Sequence, residues 1–188
     1  VNNSSLYKRS MASGAAWTAA AAFNSISRVF SPLDRTVVGV LSDVANFGAG
    51  IASMAATRIS HESNPNQKAV NYVATSSNAL WITAGMLSSA SAIQGGRKLA
   101  STYRMSALAY TATGFGIAGD WANIAAGAVG IASTAKSDGS DPDLNKLSAG
   151  LWMAGTVLGT TSTILKGVNE SLQEKEANRL REIELSLV

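Results

Sequence analysis

Two stretches decide the reading of the fold: Thr36–Gly50, TVVGVLSDVANFGAG, and Thr113–Gly127, TGFGIAGDWANIAAG. Aligned without gaps they match at seven of 15 positions: Thr36/Thr113, Gly39/Gly116, Asp43/Asp120, Ala45/Ala122, Asn46/Asn123, Ala49/Ala126 and Gly50/Gly127. The same offset of 77 pairs Pro65 with Pro142. After a shift of six residues, Leu80–Gly96 aligns with Leu151–Gly167, with Trp81 opposite Trp152. Each unit reads as a helical hairpin, because self-similarity at a fixed period marks one supersecondary unit used twice.

The fold class expected is all-α: two long hairpins, 33–96 and 98–167, form a four-helix core in a single domain. An N-terminal helix within 1–30 and a charged helical tail, 168–188, lie outside the repeat. Helices are expected near 6–29, 33–60, 66–94, 98–136 and 142–185, the fourth with an interruption around Gly114–Gly119. Ser31-Pro32, Asn64-Pro65 and Asp141-Pro142 each place a capping side chain before a proline at a first helical position. Gly95-Gly96 reads as a break between the hairpins. No alternation of apolar and polar residues calls for strands.

Within the repeat, Gly39, Asp43, Asn46 and Gly50 are spaced 4, 3 and 4 residues apart, as are Gly116, Asp120, Asn123 and Gly127. That spacing puts each set on one helix face. Small residues let helix backbones approach closely. The two faces are therefore expected to meet each other or one shared centre, with both aspartates in apolar surroundings. A buried carboxylate must be paired, hydrogen-bonded or protonated, and Asn46 and Asn123 are the expected donors. The leading reading of these eight residues is a buried polar lock that fixes helix register. A polar site for ion, proton or ligand passage is the alternative, and plain solvent exposure the third. The repeat-equivalent Trp81 and Trp152 read as core, or as anchors at a bilayer boundary, whereas Trp17 and Trp121 have no partner in the alignment.

Charge divides the 188 residues into two regimes. Nine of the charged residues fall in the last 23, where signs alternate along an amphipathic stripe of Leu172, Leu180, Ile183 and Leu187. Thr36–Thr57 holds only Asp43, Met105–Ala135 only Asp120, and Ala69–Gly96 and Leu147–Leu165 hold no charge at all. Each is about the ~20 residues that cross a bilayer as a helix. Basic residues flank the N-terminal side and the central connection, while the second hairpin tip is acidic, a positive-inside layout. Ala, Gly, Ser and Thr dominate these stretches, and the mean hydropathy of +0.13 is modest for a four-span protein.

Most chemistry is excluded by composition. With no Cys and one His, the chain has no disulfide framework, thiol nucleophile or multi-His metal site. Gly114-Phe-Gly116-Ile-Ala-Gly119 matches G-x-G-x-x-G but lacks the strand–turn–helix setting of a dinucleotide site. His61 reads as a turn residue at a helix end. The trio Arg97, Lys98 and Arg104 is too sparse for nucleic acid, as is a net charge of +3. Asn3-Ser4-Ser5 and Asn169-Glu170-Ser171 match glycosylation sequons, a pattern common by chance. No nucleophile–base or metal constellation appears, so no enzyme, cofactor or metal is expected.

The functional expectation is a non-enzymatic helical subunit, embedded in or associated with a bacterial or organellar inner membrane, with a structural or scaffolding role. Its partners are lipid and other proteins, as a hetero-complex or homo-oligomer, and not nucleic acid. One alternative is a soluble helical-bundle interaction domain, such as a secreted or translocated bacterial effector. Another is a small channel or carrier using Asp43 and Asp120.

Overall fold

The computed structural model describes residues 3–30, 36–102, 106–136 and 141–186. They form five helices: α1 (Asn3–Phe30), α2 (Val37–Ser60), α3 (Gln67–Thr102), α4 (Ala107–Ala135) and α5 (Pro142–Ser186). There is no strand among the described residues, and the fold is all-α as the periodicity implies.

The helix ends follow local chemistry. Asp141 caps α5 as expected, its Oδ1 accepting from the N–H groups of Asp143 and Leu144 at 3.0 and 3.2 Å, with Pro142 first in the helix. At the first tip the cap is Asn66, whose Oδ1 accepts from the Ala69 N–H at 3.2 Å. The start of α3 is thus two residues beyond Pro65. Thr36 caps α2 and Ser106 caps α4 by the same bond to the third helical N–H. The start expected at Ser31-Pro32 lies outside the described residues.

Two expected interruptions do not form. Helix α3 runs through Gly95-Gly96 to Thr102, and α4 runs through Gly114–Gly119. A glycine inside a helix costs only about 1 kcal/mol relative to alanine, too little by itself to end a long helix. Gly119 instead marks a close approach. A Cβ there would lie 3.0 Å from the Gly155 carbonyl oxygen and the Gly159 nitrogen of α5.

Each helix packs on its chain neighbours, α1 on α2, α2 on α3, α3 on α4 and α4 on α5, and no other pair makes backbone contact among the described residues. The duplication is visible in hydrogen bonds. Buried Ser77 Oγ donates across to the Ala49 carbonyl at 2.9 Å, and Ser148 Oγ to the Ala126 carbonyl at 2.8 Å. Donor and acceptor are repeat partners in both cases.

Helix α1, the N-terminal helix expected beside the two hairpins, packs on α2 in the register in which α3 packs on α4. Gly50 of α2 packs on Thr18 of α1, and its partner Gly127 of α4 packs on Ile82 of α3. This fixes an offset of 64 between α1 and α3, which places Trp17 opposite Trp81. A spacing S-x3-W-x9-S then emerges three times: Ser13, Trp17, Ser27; Ser77, Trp81, Ser91; Ser148, Trp152, Ser162. The order is odd, even, odd, even, odd, with α1, α3 and α5 one kind of helix and α2 and α4 the other.

Candidate functional site

The three odd helices meet through their tryptophans. Ring centroids lie 5.4 Å apart for Trp17–Trp81, 5.0 Å for Trp81–Trp152 and 6.3 Å for Trp17–Trp152. Two of the pairs meet edge to face at 72°, the geometry the ring quadrupoles favour. Trp17, read from sequence as having no equivalent, completes this triangle. Trp121 does not join it and is 60% exposed on the outside of α4.

Cavities flank the triangle. The larger, about 620 Å³, is lined by Asn24 and Arg28 of α1, Ser88 of α3, Asp120 of α4, and Thr160 and Lys166 of α5 among others. The smaller, about 290 Å³, lies between Ser13, Ser53, Ala149 and the three rings. Helices too far apart for backbone contact leave these spaces, and the indoles close only the level between them.

The eight sequence-selected residues do face inward, but the two sets do not face each other, since α2 and α4 are not in contact. Each set instead faces the odd helices on either side. Gly39 is buried beside the Arg28 side chain, Gly50 against Thr18, Gly116 against Ser162, and Gly127 against the Asn78 carbonyl and Ile82. A side chain at any of them meets an atom of the neighbouring helix at or inside ordinary contact distance.

Asp43 is 3% exposed and accepts from Arg28 of α1, Nε to Oδ2 at 2.8 Å and Nη2 to Oδ1 at 3.4 Å. A bidentate guanidinium suits a carboxylate withdrawn from water. Asp120 is half-buried at the larger cavity and accepts from Ser89 Oγ of α3 at 3.2 Å. The expected asparagine donors serve neither aspartate. Asn46 and Asn123 line the cavity, and Asn123 Oδ1 is buried beside Gly155 without a hydrogen-bond partner. Arg28 and Ser89 were the residues missed, because the alignment stopped short of α1 and Ser89 is one serine among many.

The remaining motifs are accounted for structurally. Gly114–Gly119 lies inside continuous α4, so its N–H groups are committed to the helix and form no phosphate cradle. His61 caps the end of α2, its N–H donating to the Arg58 carbonyl and that of Glu62 to the Ile59 carbonyl, and its ring stacks on Tyr7 at 4.4 Å. Among the described residues no three acidic or histidine side chains gather as a metal set.

The burial pattern is inverted relative to a water-soluble core. The buried apolar residues are Ala21, Ala45, Ala49, Ala84, Ala112, Ala126 and Ile124, and the buried polar ones are Asp43 and serines. Large apolar side chains point outward. Val37, Val40, Leu41, Val44, Phe47 and Ile51 form an exposed stripe along α2, and Met153, Val157, Ile164 and Val168 are exposed on α5. Two helices, α2 and α4, are long and apolar enough to cross a membrane. Comparison with known proteins gives no match: no family model fits the sequence, and no curated protein or solved structure resembles it significantly.

Proposed function

We propose that this chain is a membrane-embedded helical subunit, non-enzymatic, with a structural role in a larger assembly in a bacterial or organellar inner membrane. The observation that carries the reading is the inverted burial: alanine, glycine, serine and a paired carboxylate inside, Val, Leu, Ile, Phe and Met outside. In water an exposed apolar surface of this extent favours association or aggregation. In a bilayer it is the ordinary arrangement, because lipid solvates large side chains as well as a core does and helices associate through small residues instead. The acidic residues of α2 and α4, Asp43 and Asp120, turn inward, as intramembrane carboxylates do, and the one basic residue, Arg58, is exposed in the last turn of α2. At 24 and 29 residues these helices measure about 36 and 44 Å, enough for a hydrocarbon core of ~30 Å.

Carbonate extraction of cells expressing the full chain tests this. The protein should remain in the pellet and require detergent for release. Quantitative release without detergent would overturn the reading and leave a soluble interaction domain, with the apolar faces covered by a partner.

A second reading rests on the larger cavity, where Asp120 and Lys166 stand beside the Trp triangle: a conduit for a small polar solute or ion. Vesicles reconstituted with the chain should then show a flux that Asp120→Asn reduces at least tenfold. Absence of flux from the parent protein removes this reading and leaves the structural one intact.

A further inference from the structure

Each odd helix has two faces that can hold an even helix, and equivalence within the repeat identifies both. On the face toward the following even helix, α1 presents Gly14, Thr18, Ala21 and Ser25 to α2, and α3 presents the equivalent Asn78, Ile82, Gly85 and Ser89 to α4; all eight are buried or half-buried. The same positions on α5 are Ala149, Met153, Thr156 and Thr160, and all four are exposed. On the face toward the preceding even helix, Ser77 and Ala84 of α3 and Ser148 and Gly155 of α5 are buried against α2 and α4. Their equivalents on α1, Ser13 and Ala20, are exposed.

The two unused faces border one groove. The indoles of Trp17 on α1 and Trp152 on α5 meet with ring centroids 6.3 Å apart, and both cavities draw lining residues from these faces, Ser13 and Ala149 in one, Asn24, Thr156 and Thr160 in the other. Hydrogen-bonding groups wait there too. Ser13 is the equivalent of the serines that donate to the Ala49 and Ala126 carbonyls, and Thr160 is the equivalent of Ser89, the donor to Asp120. Neither Ser13 nor Thr160 makes a hydrogen bond among the described residues. A hydroxyl turned toward hydrocarbon without a partner is unfavourable.

We propose that the groove between α1 and α5 is the docking site for one further helix of the α2/α4 kind, supplied by a partner chain. Its occupant is an apolar helix with small residues at the spacing of Gly39, Ala45, Ala49 and Gly50 and one inward carboxylate. Bound there, it receives the Ser13 hydroxyl on a backbone carbonyl and the Thr160 hydroxyl on its carboxylate, and it completes a ring of three even helices around the Trp triangle. The inference deepens the reading of the chain as an assembly subunit and rests on it for the apolar nature of the partner.

The absence of cysteine makes the test clean. The probe is a synthetic peptide of Thr36–Ser60, added to the full chain carrying Ser13→Cys in detergent micelles. A peptide with Ala49→Cys, the equivalent of the position Ser77 bonds, should form a disulfide cross-link at least tenfold more than one with Val44→Cys, which points outward. Adding Ala149→Phe and Thr156→Phe should cut that cross-link at least tenfold, whereas Ala128→Phe on the outer face of α4 should leave it unchanged. Because these positions are exposed, the variants should keep parental circular dichroism. Equal cross-linking of the two peptides, or none, overturns the proposal. If the chain proves extractable without detergent, the same experiment in plain buffer separates the cases: a selective cross-link keeps the groove while the membrane reading falls.

Discussion

In the first hairpin, Asp43 lies 3% exposed against the guanidinium of Arg28, on α1. In the second, Asp120 occupies the equivalent place, half-buried at a cavity, with a serine hydroxyl of α3 as its donor. The seams differ in the same sense. Ser42 of α2 donates to the Ala84 carbonyl at 2.9 Å. The equivalent pair, Gly119 and Gly155, has no side chains, and α4 and α5 approach backbone to backbone. At this level the first hairpin is thus joined by a polar side chain and the second by close backbone approach, while the serine bonds of Ser77 and Ser148 are common to both. A duplicated sequence keeps its geometry where hydrogen bonds repeat, at Ser77 and Ser148, and diverges where the preceding helix offers a different donor, a guanidinium to Asp43 and a hydroxyl to Asp120.

The largest test of this contrast is removal of Arg28. Arg28→Ala strands a buried carboxylate and should destabilise by about 3–5 kcal/mol, read as denaturant unfolding in detergent. Asp120→Asn, which removes a less buried charge held by a hydroxyl, should cost under about 1 kcal/mol. Equal losses would erase the distinction between the two aspartates. Next in size, Gly119→Ser installs the first hairpin's residue in the second. Its Cβ meets backbone atoms at 3.0 Å, so overpacking of about 1–3 kcal/mol is expected, where a neutral result would show that the seam yields. Ser77→Ala and Ser148→Ala each delete one equivalent interhelical bond. Each should cost about 0.5–1.5 kcal/mol, the net worth of one such hydrogen bond, and a difference of more than about 1 kcal/mol between them would break the equivalence of the hairpins.

The smallest effect concerns the tips. A hydrogen bond from Lys136, then those from the backbone N–H groups of Leu144 and Asp143, hold the Asp141 carboxyl below its ordinary range. A depressed folded-state pKa means that the stabilisation is complete above the unfolded value of about 3.9 and disappears as pH falls through the folded value. Protection of the Leu144 amide from hydrogen exchange should therefore decline below about pH 4, and Asp141→Asn should abolish that dependence. The Ala69 amide, capped by the non-titrating Asn66, should keep its protection throughout.

Much of this was legible before any coordinates. The Thr36–Gly50 and Thr113–Gly127 match located both hairpins, and Asp141-Pro142 located a helix start to the residue. Asp43 and Asp120 stood out as charges in stretches otherwise almost free of them. The membership of α1 was legible too, in S-x3-W-x9-S, but three fixed residues scattered through an Ala/Ser-rich helix carry little signal until a contact such as Gly50 on Thr18 sets the register. The breaks expected at Gly95-Gly96 and Gly114–Gly119 failed for the opposite reason: glycine lowers helix propensity by only about 1 kcal/mol per residue, too little to end a long helix, and at Gly116 and Gly119 packing on α5 supports the helix as well.

Sequence by itself determined the number and kind of helices, the duplication and the inward facing of two aspartates, because periodicity and capping act within a few residues of the chain. Tertiary structure alone decided which group each aspartate meets, that three tryptophans 64 and 71 residues apart close one triangle, and that α1 and α5 each leave exposed a face that is buried or half-buried on α3. Those outcomes depend on how far apart the odd helices stand, and that distance is set by the small side chains of every seam together.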